Sequence, residues 1–363
     1  MENINPSMIA LARESRGWTQ RDLATAIRAA QGTVAKYELG AIPVPDYHVD
    51  ALCRSLNYDR ALFEQPGLLV GLGGDFLYRK RAKLAMKKQR RVEAEANIRK
   101  LQVMRLLRGA AVEERYPLPT LPLDEFPGHP GKAPAKAAQE TRRAFRLPRG
   151  PVRNLTRVLE NAGAIIFTVD FGTDLIDGTN IRLPGLPPLL FLNAKVAGER
   201  HRFNLAHELG HAVMHFSTAS TGDPEEEANA FAQEFLMPKE EIRSDLRNLN
   251  LAGAMRLKSV WGVSMAAIIR RAYELKEISE ATYRRMFTQM GANNMRTVEP
   301  GPLPFEEPEA FSQLLELHRT KLGFSDDDMR RLLFTDQMGE MPVPKAPQLR
   351  LAGLFEQDET SPA

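Results

Sequence analysis

Only one cysteine, Cys53, occurs in the 363 residues of this chain. A lone thiol excludes a disulfide framework and a cysteine-based zinc site. No apolar run approaches the roughly 18 residues that a membrane-spanning helix requires. The first residues also lack the charged, apolar and small-residue succession of a secretory leader. A cytoplasmic protein without a membrane partner is the expectation. Hydrophobic residues reach 43%, enough for real cores in the two or three domains that this length suggests.

What the chain does concentrate is histidine, with four of its seven between residues 201 and 215. The run His207-Glu208-Leu209-Gly210-His211 lies in an apolar stretch that reads as helix. Residues four apart on a helix share one face about 6 Å apart along the axis, so both imidazoles can reach one Zn²⁺ at about 2.1 Å. Glu208 then stands beside the metal, placed to take a proton from the attacking water. A third protein ligand is needed. On a continuous helix His215 stands about 12 Å along the axis from His207, whereas two nitrogens on one zinc are about 4 Å apart or less. His215 is therefore expected to pack near the site rather than bind. The next helix, 224–236, has the apolar stripe Ala228, Phe231, Ala232, Phe235 and Leu236. Glu225 falls about 60° from its centre, Glu227 about 100° and Glu226 about 160°. Glu225 is the favoured ligand and Glu227 the alternative. Asn229 shares the face of Glu225 and can orient a ligand from behind. The bland alternative is an acidic first turn that only complements the helix dipole.

The segment Arg202-Phe203-Asn204-Leu205-Ala206-His207-Glu208-Leu209-Gly210-His211 is followed by Glu225-x-x-Ala228-Asn229-x-Phe231-Ala232 and then Phe235-Leu236-Met237-Pro238. Together they resemble the ImmA/IrrE family of zinc metallo-endopeptidases, over about residues 138–290. The resemblance implies zinc held by His207, His211 and Glu225, with Glu208 as general base. Asn204 departs from the threonine expected there and touches no ligand. The resemblance also implies a regulatory protease whose substrate is a helix-turn-helix repressor.

Residues 1–66 read as short helices across tight turns. A helix over 8–15 is closed by Gly17. Thr19 opens the next, over 20–27, with Asp22 as a weak capping-box partner. A third runs over 31–38 and ends at Gly40. The pattern Trp18-Thr19-Gln20-x-x-Leu23-Ala24, then Gln31-Gly32-Thr33-Val34-Ala35-Lys36-Tyr37-Glu38-x-Gly40, resembles the Xre/Cro-type repressors. The resemblance points Gln31, Thr33 and Lys36 at the major groove of double-stranded DNA and Gln20 at phosphate. Ala30 stands where a Ser or Thr N-cap is usual. Seven Lys+Arg against eight Asp+Glu is a poor electrostatic footprint for DNA, and a helical bundle used for dimerisation or protein binding is the alternative. Residues 78–108 supply what the motif lacks: twelve Lys+Arg against Glu93 and Glu95, a net +10 in a chain whose total is +3. Arg79, Lys80, Arg81 and Lys83 are the candidate phosphate contacts, with a solvated helix face as the alternative.

Six prolines and two glycines over 116–134 read as a semi-rigid linker. Helices are expected over 135–145 and, opened by Pro151, to Asn161. Strands are expected over 164–171 and 189–192, with Asp177-Gly178 as a turn. The expected divisions are thus 1–66 helix-turn-helix, 67–115 basic helical segment, 116–134 linker, 135–295 peptidase-like domain, and 296–363 terminal helices with a tail lacking fixed structure from 341. The fold class is mostly α, with an all-α N-terminal bundle and an α+β, zincin-like C-terminal domain holding a small sheet. Trp261-Gly262-Val263-Ser264 separates two helices that read as packing around that domain, or else as a second helix-turn-helix. The expected function is a DNA-binding regulator carrying a zinc endopeptidase. A non-proteolytic transcription factor using the peptidase fold as a sensor, and an antitoxin-like protein-binding module, are the alternatives. Whether the chain forms a homodimer is open.

Overall fold

Asn5 and Pro6 open the first helix, α1 (Pro6–Ser15): the Asn5 side chain accepts from Ser7 N at 3.0 Å, and proline fits the first helical position. The computed structural model describes residues 4–66, 86–112, 117–126, 132–173, 176–195, 198–215, 222–296, 298–335 and 351–353. Thr19 and Asp22 form a complete capping box on α2 (Gln20–Ala26), stronger than its sequence suggests. The helix α3 (Gln31–Glu38) starts at Ala30 with no side-chain cap. With α4 (Asp46–Leu56) and α5 (Arg60–Phe63) these helices enclose Met8, Ile9, Leu23, Val34, Leu52, Leu62 and Phe63, all fully buried. Inside the bundle Arg13 donates to Glu38 at 2.6 Å and to Trp18 O at 2.8 Å, while Gln20 donates to Glu38 at 2.9 Å. This network fixes α3 against α1 and α2.

The described part of the basic run is one helix, α6 (Met86–Leu106), and it is not a surface segment. Ala94 and Ile98 join the core of the N-terminal bundle. Val92, Ala96, Val103 and Leu106 join a second core built on the sheet described below. Lys100 is only 4% exposed and burial lowers its pKa, while the Arg105 guanidinium lies 4.6 Å over the Phe334 ring. These two charges are structural, so the raw count of cations overstates the charge on offer to a partner.

After β1 (Ala110–Val112), the Pro-rich stretch also differs from the expected linker. Leu118, Leu121, Leu123 and Phe126 pack on the main core, and Leu121 N donates to Val213 O at 3.0 Å. Arg182 grips the same stretch, donating to Leu118 O at 3.1 Å and Pro119 O at 3.3 Å, and also to Ala212 O. The next helices are α7 (Ala133–Ala144) and α8 (Leu155–Asn161). The latter starts four residues later than Pro151 suggests, because Asn154 caps it through Arg157 N at 2.8 Å.

The sheet consists of β2 (Ile165–Val169), β3 (Gly178–Ile181) and β4 (Leu189–Asn193), in the order β2-β4-β3. The middle strand is parallel to β2, with Ile165 opposite Leu189, and antiparallel to β3, with Thr179 opposite Phe191. Gly178, expected in a turn, is the first residue of a strand. Ile166, Leu190 and Leu192 face the main core, whereas Ile165, Phe167, Leu189 and Phe191 face the second. A sheet covered on both faces explains why β4 reads as an uninterrupted apolar run.

The main core is completed by α9 (Gly198–Met214), α10 (Pro224–Leu236), α11 (Lys239–Ile242), α12 (Leu251–Trp261), α13 (Met265–Glu274) and α14 (Glu280–Ala292). Gly262 ends α12 at φ 65° and Ser264 caps α13, so the Trp261–Ser264 break packs into this domain rather than forming a separate motif. Last come α15 (Ala310–Thr320), α16 (Asp326–Leu333) and β5 (Leu351–Gly353). The last pairs antiparallel with β1, so part of the expected structureless tail is a strand. Among the described residues no helix is long and apolar enough to cross a membrane.

Three distant carboxylates satisfy helix N-termini here. Glu299 accepts from Met265 N at 2.8 Å and Ala266 N at 3.1 Å, and Glu306 accepts from Thr156 N at 2.9 Å. Glu160 accepts from both Glu309 N and Ala310 N at 2.8 Å. Glu299 is paired with Lys258 at 3.2 Å and Glu306 with Arg202. For Glu160, burial raises the pKa from 4.5 to about 7 against the pull of its two N–H donors and of Arg157, with the Glu309 charge adding to the rise. The folded chain therefore binds the extra proton between those values, so the stabilisation is full below about pH 4.5 and is lost as pH rises through 7. Wild type should lose on the order of 3 kcal/mol between pH 4.5 and 8 that Glu160→Gln does not lose. Urea unfolding at both pH values measures this, and parallel losses in the two proteins would contradict it.

Candidate metal centre

His207 and His211 sit on α9, whose apolar residues Leu205, Ala206, Leu209, Ala212 and Val213 are buried. The following helix is started by Asp223, which accepts from Glu225 N at 2.9 Å, with proline at its first position. Phe231 on this helix lies against Gly210, where an added Cβ would meet Phe231 Cδ1 at 3.1 Å. That close approach of α9 and α10 sets Glu225 opposite the two histidines.

His207, His211 and Glu225 form a cluster whose candidate ligand atoms all lie within 4.8 Å of one another. The two Nε2 atoms are 3.0 Å apart. Glu225 Oε2 is 3.4 Å from His207 Nε2, and Oε1 is 3.3 Å from His211 Nε2. Donor atoms about 2.1 Å from a tetrahedral zinc stand about 3.4 Å apart, so this set fits the ion. Protonation fits as well. Burial pushes His211 down to about 4, leaving a neutral imidazole. Burial works against the Glu225 charge, but the two imidazoles that face it hold its carboxyl well below the ordinary carboxylate range. A neutral imidazole and an ionised carboxylate are the forms that bind metal.

The residues behind the donors are arranged in two lines. His207 Nδ1 lies 3.2 Å from Asn229 Oδ1, which assigns the proton to Nδ1 and the lone pair to Nε2. His211 Nδ1 lies 3.0 Å from His215 Nδ1, and His215 Nε2 lies 2.9 Å from Glu227 Oε2. His215 and Glu227 are thus brought together behind His211, outside the three-residue cluster. Glu208 is 2% exposed and accepts from Asn180 Nδ2 at 2.8 Å. Gly178 lies against the same carboxylate, where a Cβ would come within 3.1 Å of Glu208 Oε1. Sequence reasoning did not single out Asn180, because its segment was not expected to be a strand. His201 belongs to another environment: its ring lies 4.4 Å from that of Phe305, and burial lowers its pKa to about 4.

In the N-terminal bundle Gln31 and Lys36 are exposed and Thr33 half-buried, whereas the Gln20 amide is engaged by Glu38. One Gln20 N–H is thus held inside the bundle, which leaves the amide a second one. Arg79, Lys80, Arg81 and Lys83 lie outside the described residues.

Comparison with known proteins accords with both regions. Residues 160–273 match the family described as IrrE N-terminal-like domain, and residues 9–63 match Helix-turn-helix. No curated protein matches the chain. From N to C, then, the chain carries an Xre-type helix-turn-helix and an ImmA/IrrE-like domain of the M78 peptidase type.

Proposed function

We propose that this protein is a cytoplasmic DNA-binding transcriptional regulator whose M78 domain is a zinc endopeptidase that cuts a repressor-type protein. The observation that carries the proposal is the convergence of His207, His211 and Glu225 on one point, with Glu208 following His207 on the same helix and held by Asn180. His207 and His211 would hold zinc through Nε2, and Glu225 through its carboxylate. When bound, zinc would polarise the scissile carbonyl and make water a stronger acid. Glu208 takes the proton of the attacking water and delivers it to the departing amine. Asn180 keeps the Glu208 carboxylate aimed. Asn229 and the His215–Glu227 pair fix the tautomers of the two histidines, so that each turns a lone pair to the same point. The helix-turn-helix directs the chain to DNA, where removal of a repressor changes transcription.

Purified protein should contain one zinc per chain by mass spectrometry, and His207→Ala or His211→Ala should contain none. Glu225→Ala should weaken zinc more than Glu227→Ala, and the reverse order would transfer the ligand role two residues along the helix. Glu208→Gln should keep zinc and slow cleavage of a helix-turn-helix repressor encoded nearby by about 10²- to 10⁴-fold. Zinc loss in that variant, or unchanged cleavage, would refute the assignment. On the DNA side Gln31→Ala should cost about 1–3 kcal/mol on the operator and little on random duplex, as a base contact does. Equal losses on both would make Gln31 a phosphate contact.

A further inference from the structure

We infer that Lys87 and Arg90, at the start of α6, are phosphate contacts that complete the DNA surface of the helix-turn-helix. The inference rests on the DNA-binding reading above and names residues that the motif itself does not contain. A cleft of about 480 Å³ is lined by Thr19, Gln20, Arg21 and Gln31 together with Lys87 and Arg90. The first four belong to the N-terminal ends of α2 and α3, the ends that a helix-turn-helix turns to the duplex. Lys87 and Arg90 are three apart on one helix and so share a face. Both side chains are 58% exposed. They enter from a different part of the chain and bring positive charge to a motif that has none to spare.

Their present partners are weak. Lys87 lies 3.9 Å from Asp22, whose carboxylate already accepts from Thr19 N at 2.7 Å. Arg90 lies 3.6 Å from Glu14, which Arg13 also approaches at 3.3 Å. Long, solvated ion pairs of this kind contribute little to stability, so either cation can turn to a phosphate instead. The neighbouring Arg91 bridges instead: its stem lies against Gly17, while its guanidinium donates to Asp170 O at 3.4 Å and lies against Gly172 of the M78 domain. Helical periodicity therefore divides the basic run by role. One face meets DNA and the other ties the two domains together.

The test uses the full chain and a fluorescein-labelled, mixed-sequence 24-base-pair duplex, with affinity read by anisotropy over a series of NaCl concentrations. Lys87→Ala/Arg90→Ala should reduce the magnitude of the slope of log affinity against log salt by about 1.8 and weaken binding about 10- to 100-fold at 0.1 M salt. Lys239→Ala/Arg285→Ala, equal in lost charge and at exposed positions of the other domain, should bind as wild type does. Alanine suits an exposed helix position, and an unchanged thermal melt checks that the fold is kept. A wild-type slope in the Lys87/Arg90 variant overturns this inference and leaves the DNA reading standing. Failure of the wild-type chain to bind any duplex overturns both.

Discussion

The close approach of α9 and α10 at Gly210 and Phe231 is the constraint on which the rest of the M78 domain depends. Any side chain at position 210 would push on a fully buried phenylalanine. A shift of α10 by even an ångström would carry Glu225 away from both imidazoles, because the donors that surround one ion tolerate little displacement. The site is thus a consequence of core packing: two helices brought close by a missing Cβ, one carrying two histidines and the other a carboxylate in its first turn. The outer contacts from Asn229, His215 and Glu227 come from the same two helices or their ends. Asn180 and Gly178, both against Glu208, come from the sheet, on the strand beside which α9 is packed.

A second constraint links the halves of the molecule. Helix α6 buries one part of itself in the N-terminal bundle and another in the core beneath the sheet. Phe334, just after α16, also belongs to the bundle core, and Gln102 donates to Leu333 O at 2.7 Å. At about 1.5 Å per residue α6 is a strut roughly 30 Å long that runs from the cleft beside α2 and α3 into the M78 domain. Through α6 the helix-turn-helix is packed onto the same body as the His207, His211 and Glu225 cluster.

Much of this was legible in the sequence. Turn and cap signals marked α1 to α3, and the spacing of Glu225 from the apolar stripe singled out that carboxylate among three adjacent ones. Residues 160–273 and 9–63 fall within the two regions where the motif resemblances lie. Illegible were the features that depend on distant partners. Charge counting took α6 for a surface segment because Lys100 and Arg105 look like any other cations until burial and Phe334 are seen. Proline counting took 117–126 for a spacer, although Arg182 and the main core hold it down. Gly178 reads as a turn residue, yet it opens a strand where Glu208 leaves no room for a side chain. Pro151 reads as a helix start, but the capping side chain three residues later decides the boundary.

The most direct test of the central claim is an anomalous difference map at the zinc edge from crystals of the zinc-loaded chain. One peak should appear, within bonding distance of His207 Nε2, His211 Nε2 and Glu225. A peak between His215 and Glu227, or no peak among these five residues, would contradict it.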